Sequence, residues 1–165
     1  MFRAFAYFRQ IFDERAERQA GVGAEHIYID ACAAALVRRP WDFDVLVTEN
    51  MFGDILSDLT AGLIGGMGMA PSADIGDRHA VFQPCHGTAP DIMGKGVANP
   101  AAMILSAAMM LDWLADRHDH APAAEAARSI EDAVDAAFAQ GLRPCEFGGS
   151  DGTAEVARAV LARMS

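Results

Sequence analysis

The sequence predicts an α/β chain, rich in helix with a few isolated strands and incomplete as a single chain. Apolar residues recur at helical spacing in about six segments, and only about three short runs read as strands. Helices or glycine-rich loops separate each of those runs from the next. A parallel sheet must cover both faces with neighbouring elements, so three lone strands cannot close one unaided.

Taken in order, Phe5, Phe8, Ile11 and Phe12 lay an apolar stripe along a helix from residue 2 to about 19, stopped near Gly21 and Gly23. Such a stripe needs cover, from the rest of the fold or from a second subunit. HIYID at 26–30 reads as a short strand, and 31–38 as a helix ended by Pro40. FDVLVT at 43–48 has β-branched residues and no helical period, which predicts a buried strand. A helix starts near Gly53. Gly62, Gly65, Gly66, Gly68 and Gly76, with Pro71, make 62–76 loop-like. A strand at 80–83 leads into a polar loop ending at Pro100, a residue suited to the first position of a helix. That helix runs to about Arg117 and is apolar on nearly all sides, which predicts burial. Pro122 opens another, lasting to Gln140 with Gly141 as its stop. A second glycine loop covers 143–152, and a last helix 153–164. His118, Asp119 and His120 read as a solvated linker, and His26 and His79 have no partner in a readable motif.

The 165 residues are 52% hydrophobic and 22% charged, which excludes intrinsic disorder. Thirteen basic residues against 23 acidic ones give a net charge of -10, a field that repels a nucleic-acid backbone. No nucleic-acid partner is expected. Cys32, Cys85 and Cys145 are far apart and form no C-x-x-C pair, so they read as free thiols in a reducing compartment. Arg3 breaks the N-terminus before any leader-like apolar region can form. The longest apolar stretch, 101–115, contains Ser106 and Asp112 and is too short to cross a bilayer. A cytoplasmic protein without a membrane partner is expected.

Two segments carry candidate chemistry. Asp54 and Asp58 in NMFGDILSD (50–58) stand four apart, so a helix projects both carboxylates from one face. No Lys or Arg lies between Arg39 and Arg78 to neutralise them. A hard divalent ion, Mg²⁺ or Mn²⁺, suits such oxygen donors and leaves positions for a chelating substrate. A solvated helix N-terminus, where the dipole favours Asp, is the alternative. The second segment is HGTAPDIMGKGVANP (86–100). Its glycines permit close backbone approach, and Thr88 with backbone N–H groups suits a phosphate. Asp91 is an acceptor for ribose hydroxyls and would repel a 2′-phosphate, favouring NAD over NADP. A purely structural loop shaped by Pro90 and Pro100 is the alternative there. No Ser or Cys stands in a nucleophile-elbow context.

NMFGDILSD, GGMGMAPSA (65–73) and HGTAPDIMGKGVANP, in this order, resemble the isocitrate/isopropylmalate dehydrogenase family. These are β-decarboxylating dehydrogenases of 2-hydroxy acids, including tartrate and D-malate dehydrogenases. ILSAAMML (104–111) and Gly148-Gly149 continue the likeness. The resemblance implies the C-terminal half of an isopropylmalate-dehydrogenase-like fold, with 1–58 in the dimerisation and substrate lobe and 59–165 in the cofactor lobe. It implies that Asp54 and Asp58 bind the metal and that Asp30, in YIDA (28–31), completes the site across a dimer interface. It further implies that His86, Gly87, Thr88, Ala89, Asp91 and Asn99 hold the adenosine half of NAD. Where the family carries Asp before the late double glycine, this chain has Glu146.

The family's Lys of an Asp-Lys-x-Asn motif would fall just before Met1. Its substrate arginines, Tyr and nicotinamide loop belong to the other half, so no catalytic residue is assigned here. Two readings follow. One is a portion of an NAD- and Mg²⁺/Mn²⁺-dependent oxidoreductase acting on a small 2-hydroxy acid, at least dimeric and inactive alone. The other is a truncated, non-catalytic module that keeps the metal and adenosine sites and self-associates.

Overall fold

The computed structural model describes residues 3–164, with the expected helix start at residue 2 lying outside them. Six α-helices and one two-stranded sheet are present among the described residues. They fall into two compact units, divided between Phe43 and Asp44.

The first unit holds α1 (Arg3–Ala16) and α2 (Ile29–Arg38). No residue of α1 is buried, and Tyr7, Phe8 and Ile11 are exposed. His26 has the partner its sequence context did not reveal. Its ring meets Phe12 edge-on at 5.3 Å, and Nε2 lies 2.6 Å from Asp13 Oδ1. The strand expected at 26–30 is absent. Tyr28 is extended, but α2 begins at Ile29 and places Asp30 in its first turn, where a carboxylate is favoured by the helix dipole. Cys32, Ala35 and Leu36 form the buried face of α2, and a 3₁₀ turn at Pro40–Asp42 follows.

The run 43–48 also departs from expectation. Phe43 is extended, yet the run pairs with no strand among the described residues, and Val45 is 82% and Val47 59% exposed. An extended segment becomes a strand only when a neighbouring strand takes up its N–H and C=O groups; among the described residues none does, and Phe43 N donates instead to Pro40 O at 3.3 Å in the preceding turn. In the second unit α3 (Asn50–Leu63) starts ahead of Gly53 because Glu49 caps it. The Glu49 carboxylate accepts from the N–H of Met51 at 3.1 Å and of Phe52 at 3.0 Å.

The glycine-rich stretch 62–76 is only partly a loop. It holds β1 (Pro71–Ile75), antiparallel to β2 (Ala80–Pro84) in a hairpin pairing Pro71 with Pro84 and Ile75 with Ala80. α4 (Ala101–His118) packs on both strands and along α5 (Ala121–Ala139), which in turn packs on α6 (Thr153–Leu161). Ala101, Ala102 and Ala108 have no accessible surface, so the burial expected of α4 holds on its small-residue face. Met103 and Met110 on other faces are exposed. Buried Ser106 donates to Ala102 O at 2.7 Å, which satisfies its hydroxyl.

The segment 118–121 is more than a solvated linker. Asp119 adopts the left-handed conformation at φ 49°, and His120 Nδ1 accepts from Ala123 N at 3.2 Å, capping α5. Gly141, at φ +98°, ends that helix as its position predicts. Ala133, Val134, Ala137 and Val160 centre the core, with Met69, Ile104, Leu105 and Phe138 packed against them.

Val134→Ala is expected to lower unfolding free energy by about 2 kcal/mol in a urea titration, through lost burial plus a residual cavity. A change near zero would mean that α5 does not pack as described.

Candidate functional site

Asp54 and Asp58 sit one turn apart on α3, both exposed. Ser57 Oγ donates to Asp54 O at 3.0 Å and Thr60 Oγ1 to Ser57 O at 2.9 Å, so the neighbouring hydroxyls are spent on the helix backbone. Among the described residues neither carboxylate accepts a hydrogen bond or pairs with a cation. Two hard oxygen donors on one helical face, with nothing cationic between them, fit a hydrated divalent ion. Asp58 also makes itself felt at the hairpin. Burial first, and the negative charge of Asp58 second, hold the Cys85 thiol above its ordinary pKa. A cleft of about 270 Å³ opens between α3 and the hairpin, lined by Ser57, Thr60, Ala61, Ile64 and Cys85 among others.

Asp30 belongs to the first unit, where it is exposed and its Oδ1 accepts from Ala31 N at 2.8 Å. Among the described residues no three His, Cys, Asp or Glu side chains gather into a metal cage. Cys32, near Asp30 in sequence, is buried, and burial raises its thiol pKa.

The loop expected to hold a nucleotide has two differently built ends. At the first, His86, Gly87, Thr88, Ala89 and Asp91 are all exposed, and His86 Nδ1 lies 2.9 Å from Gly87 O. Ala89 takes φ 42°, ψ 62°, a left-handed conformation costly for a residue with a Cβ, and launches the 3₁₀ turn Pro90–Ile92. Asp91 therefore projects from a fixed turn. At the second end Asn99 is half-buried and engaged at both ends of its amide. Oδ1 accepts from Ala101 N at 3.1 Å, and Nδ2 donates to Glu146 Oε2 at 3.1 Å and to Met69 Sδ at 3.4 Å.

Two further participants were not among the expected site residues. Glu146 Oε1 accepts from Gly68 N at 3.0 Å, and Thr153 donates from N to Gly96 O at 2.8 Å and from Oγ1 to Ala98 O at 2.6 Å. The loop is thus tied to the segment that follows α5. Glu146 had left a trace in the sequence as a departure from the family pattern. Thr153 left only the signal of a helix start, because its contact closes over 55 residues.

Residues 1–160 match the family described as isocitrate/isopropylmalate dehydrogenase. The chain belongs to that family. Among isocitrate/isopropylmalate dehydrogenase relatives, an isocitrate/homoisocitrate dehydrogenase of Thermus thermophilus is 54% identical over 140 residues, covering 85% of this chain and 40% of the relative. The 3-isopropylmalate/3-methylmalate dehydrogenase of Methanocaldococcus jannaschii is 47% identical over 157 residues, covering 95% and 45%. The crystal structure of isocitrate dehydrogenase from Methylococcus capsulatus superposes with a TM-score of 0.83 at 43% identity, over 95% of this chain and 45% of that one. The helix-rich α/β arrangement is therefore part of the isocitrate/isopropylmalate dehydrogenase fold. The chain spans less than half the length of these relatives.

Reaction with a thiol reagent near pH 8 is expected to proceed in the order Cys145, Cys85, Cys32. Cys145 is exposed, Cys85 is slowed by burial and by Asp58, and Cys32 is shielded until unfolding. Asp58→Asn should speed Cys85 selectively. Equal rates at Cys85 in both forms would contradict the electrostatic link.

Proposed function

We propose that this chain supplies the metal carboxylates and the adenosine loop for oxidation and decarboxylation of a small 2-hydroxy acid. The substrate class is that named for the relatives, isopropylmalate and isocitrate, with tartrate and malate as close chemical kin. The observation that carries the reading is the Asp54/Asp58 pair, free of any cationic neighbour among the described residues, within a family match over 1–160. When bound, Mg²⁺ or Mn²⁺ supplies Lewis acidity at the hydroxyl and carboxylate oxygens, and NAD supplies the hydride acceptor.

The chain's own residues bind and orient. Asp54 and Asp58 offer paired charge, and Asp30 of a second subunit joins them in the assembled protein. Asp91 accepts from the ribose hydroxyls and disfavours a 2′-phosphate, so NAD is selected over NADP. Thr88 and the N–H groups around Gly87 meet phosphate oxygens, while His86 and Ala89 shape that turn. Asn99 closes the loop at the foot of α4. Residues 1–58 belong to the dimerisation and substrate lobe and 59–165 to the cofactor lobe of a cytoplasmic homodimer. Proton transfer at the substrate is assigned to no residue of this chain, so turnover requires more than these 165 residues.

A second reading, a non-catalytic module that self-associates, draws support from the exposed apolar residues Tyr7, Phe8, Val45 and Val47. Mn²⁺ titration of the chain, followed by electron paramagnetic resonance, tests the metal site. Uptake should weaken roughly tenfold or more in Asp54→Asn and Asp58→Asn. No uptake by the chain or by a full-length relative carrying the same residues would sink the metal assignment. NAD reduction with isopropylmalate, isocitrate, malate and tartrate in Mn²⁺ separates the two readings. Binding without turnover is expected of the chain alone, and turnover would overturn its assignment as only part of the catalyst.

Sedimentation at micromolar concentration should show at least a dimer, with Phe8→Arg shifting it toward monomer. A monomeric parent chain would remove the self-association claim.

A further inference from the structure

We propose that Glu146 is a positioning residue that pins the glycine segment ahead of β1 to Asn99, and thereby sets the geometry of the nucleotide loop without touching the nucleotide. The inference rests on the nucleotide reading of the 86–99 loop given above. One carboxylate serves two strangers in sequence, Oε1 taking the Gly68 N–H at 3.0 Å and Oε2 the Asn99 amide at 3.1 Å. Both bonds go to the two oxygens of one carboxyl group at the protein surface.

The surroundings are built for that carboxylate. A Cβ added at Gly66 or Gly68 would run into it, and Gly66 also sits at φ +131°, closed to most side chains. Gly66 bends the chain, and at both positions the absent Cβ leaves the end of the Glu146 side chain where it is. Because Asn99 Oδ1 is committed to Ala101 N at the start of α4, its NH₂ must face Glu146. A flipped amide would lose both bonds. Glu146 is itself anchored, since the next residue, Phe147, meets Phe138 edge-on at 6.0 Å in the packing around α5. The core thus holds Phe147, Phe147 fixes Glu146, and Glu146 fixes the end of the loop.

The experiment uses the whole chain with Glu146→Gln, which keeps the shape but offers an N–H₂ to Asn99, and Glu146→Ala, which removes both acceptors. Amide proton–nitrogen spectra report the Gly68 N–H and the Asn99 side-chain NH₂, and AMP titration reports the loop. Both variants should move those two sets of signals while leaving the signals of α5 and α6 in place. Each should weaken AMP binding roughly three- to tenfold, the scale of one ordinary hydrogen bond's net contribution. Unmoved Gly68 and Asn99 signals overturn the pin. Unchanged AMP affinity in both variants overturns its influence on the loop. Absence of AMP binding by the unsubstituted chain overturns the nucleotide reading, and the pin is then judged on the spectra alone.

Discussion

Three alanines, Ala101, Ala102 and Ala108, have no surface left to water, and the second unit depends on that want of bulk. Helices approach as closely as their side chains permit, so a small-residue face lets α4 settle against the hairpin and α5 together. The same closeness lets Ala102 N reach Gly68 O at 2.8 Å and Ala101 N reach Asn99 Oδ1 at 3.1 Å. The first turn of α4 thereby spends two of its orphan N–H groups on Gly68 and Asn99. Packing and positioning are one event here, because the contact that buries the helix also fixes where the candidate loop ends.

The acidic face of α3 follows the opposite rule. Nothing satisfies Asp54 and Asp58 within the described residues, while Glu49, just ahead of the helix, spends its carboxylate on the helix N-terminus. Two neighbouring turns thus use the same chemistry for different ends. An acid that caps a helix is spent on the helix, and the exposed pair Asp54 and Asp58 stays available to water or to an ion. That contrast, together with membership of a dehydrogenase family, gives the metal reading its force.

The helices were legible in the sequence because period and punctuation agreed, as at Gly141 and Pro122. The strands were less so. The β-branched run at 43–48 has strand character, but pairing is a property of two segments, and no described residue pairs with it. Pro71 and the surrounding glycines masked β1, whose pairing with β2 tolerates proline at the outermost register. Of the candidate site, Asp54, Asp58 and the 86–99 loop stood out through local spacing. Glu146 and Thr153 did not, because their partners lie 78 and 55 residues away and no local pattern encodes such a meeting.

The open segment at 44–48 has a practical side. Val45, Leu46 and Val47 present apolar side chains to solvent on an irregular stretch whose one charge is Asp44. Backbone groups that no neighbour occupies form an adhesive edge, receptive to any like segment that drifts past. For a chain handled by itself, this short stretch adds to the apolar surface that Tyr7 and Phe8 also expose, and a strand laid over it would remove its share.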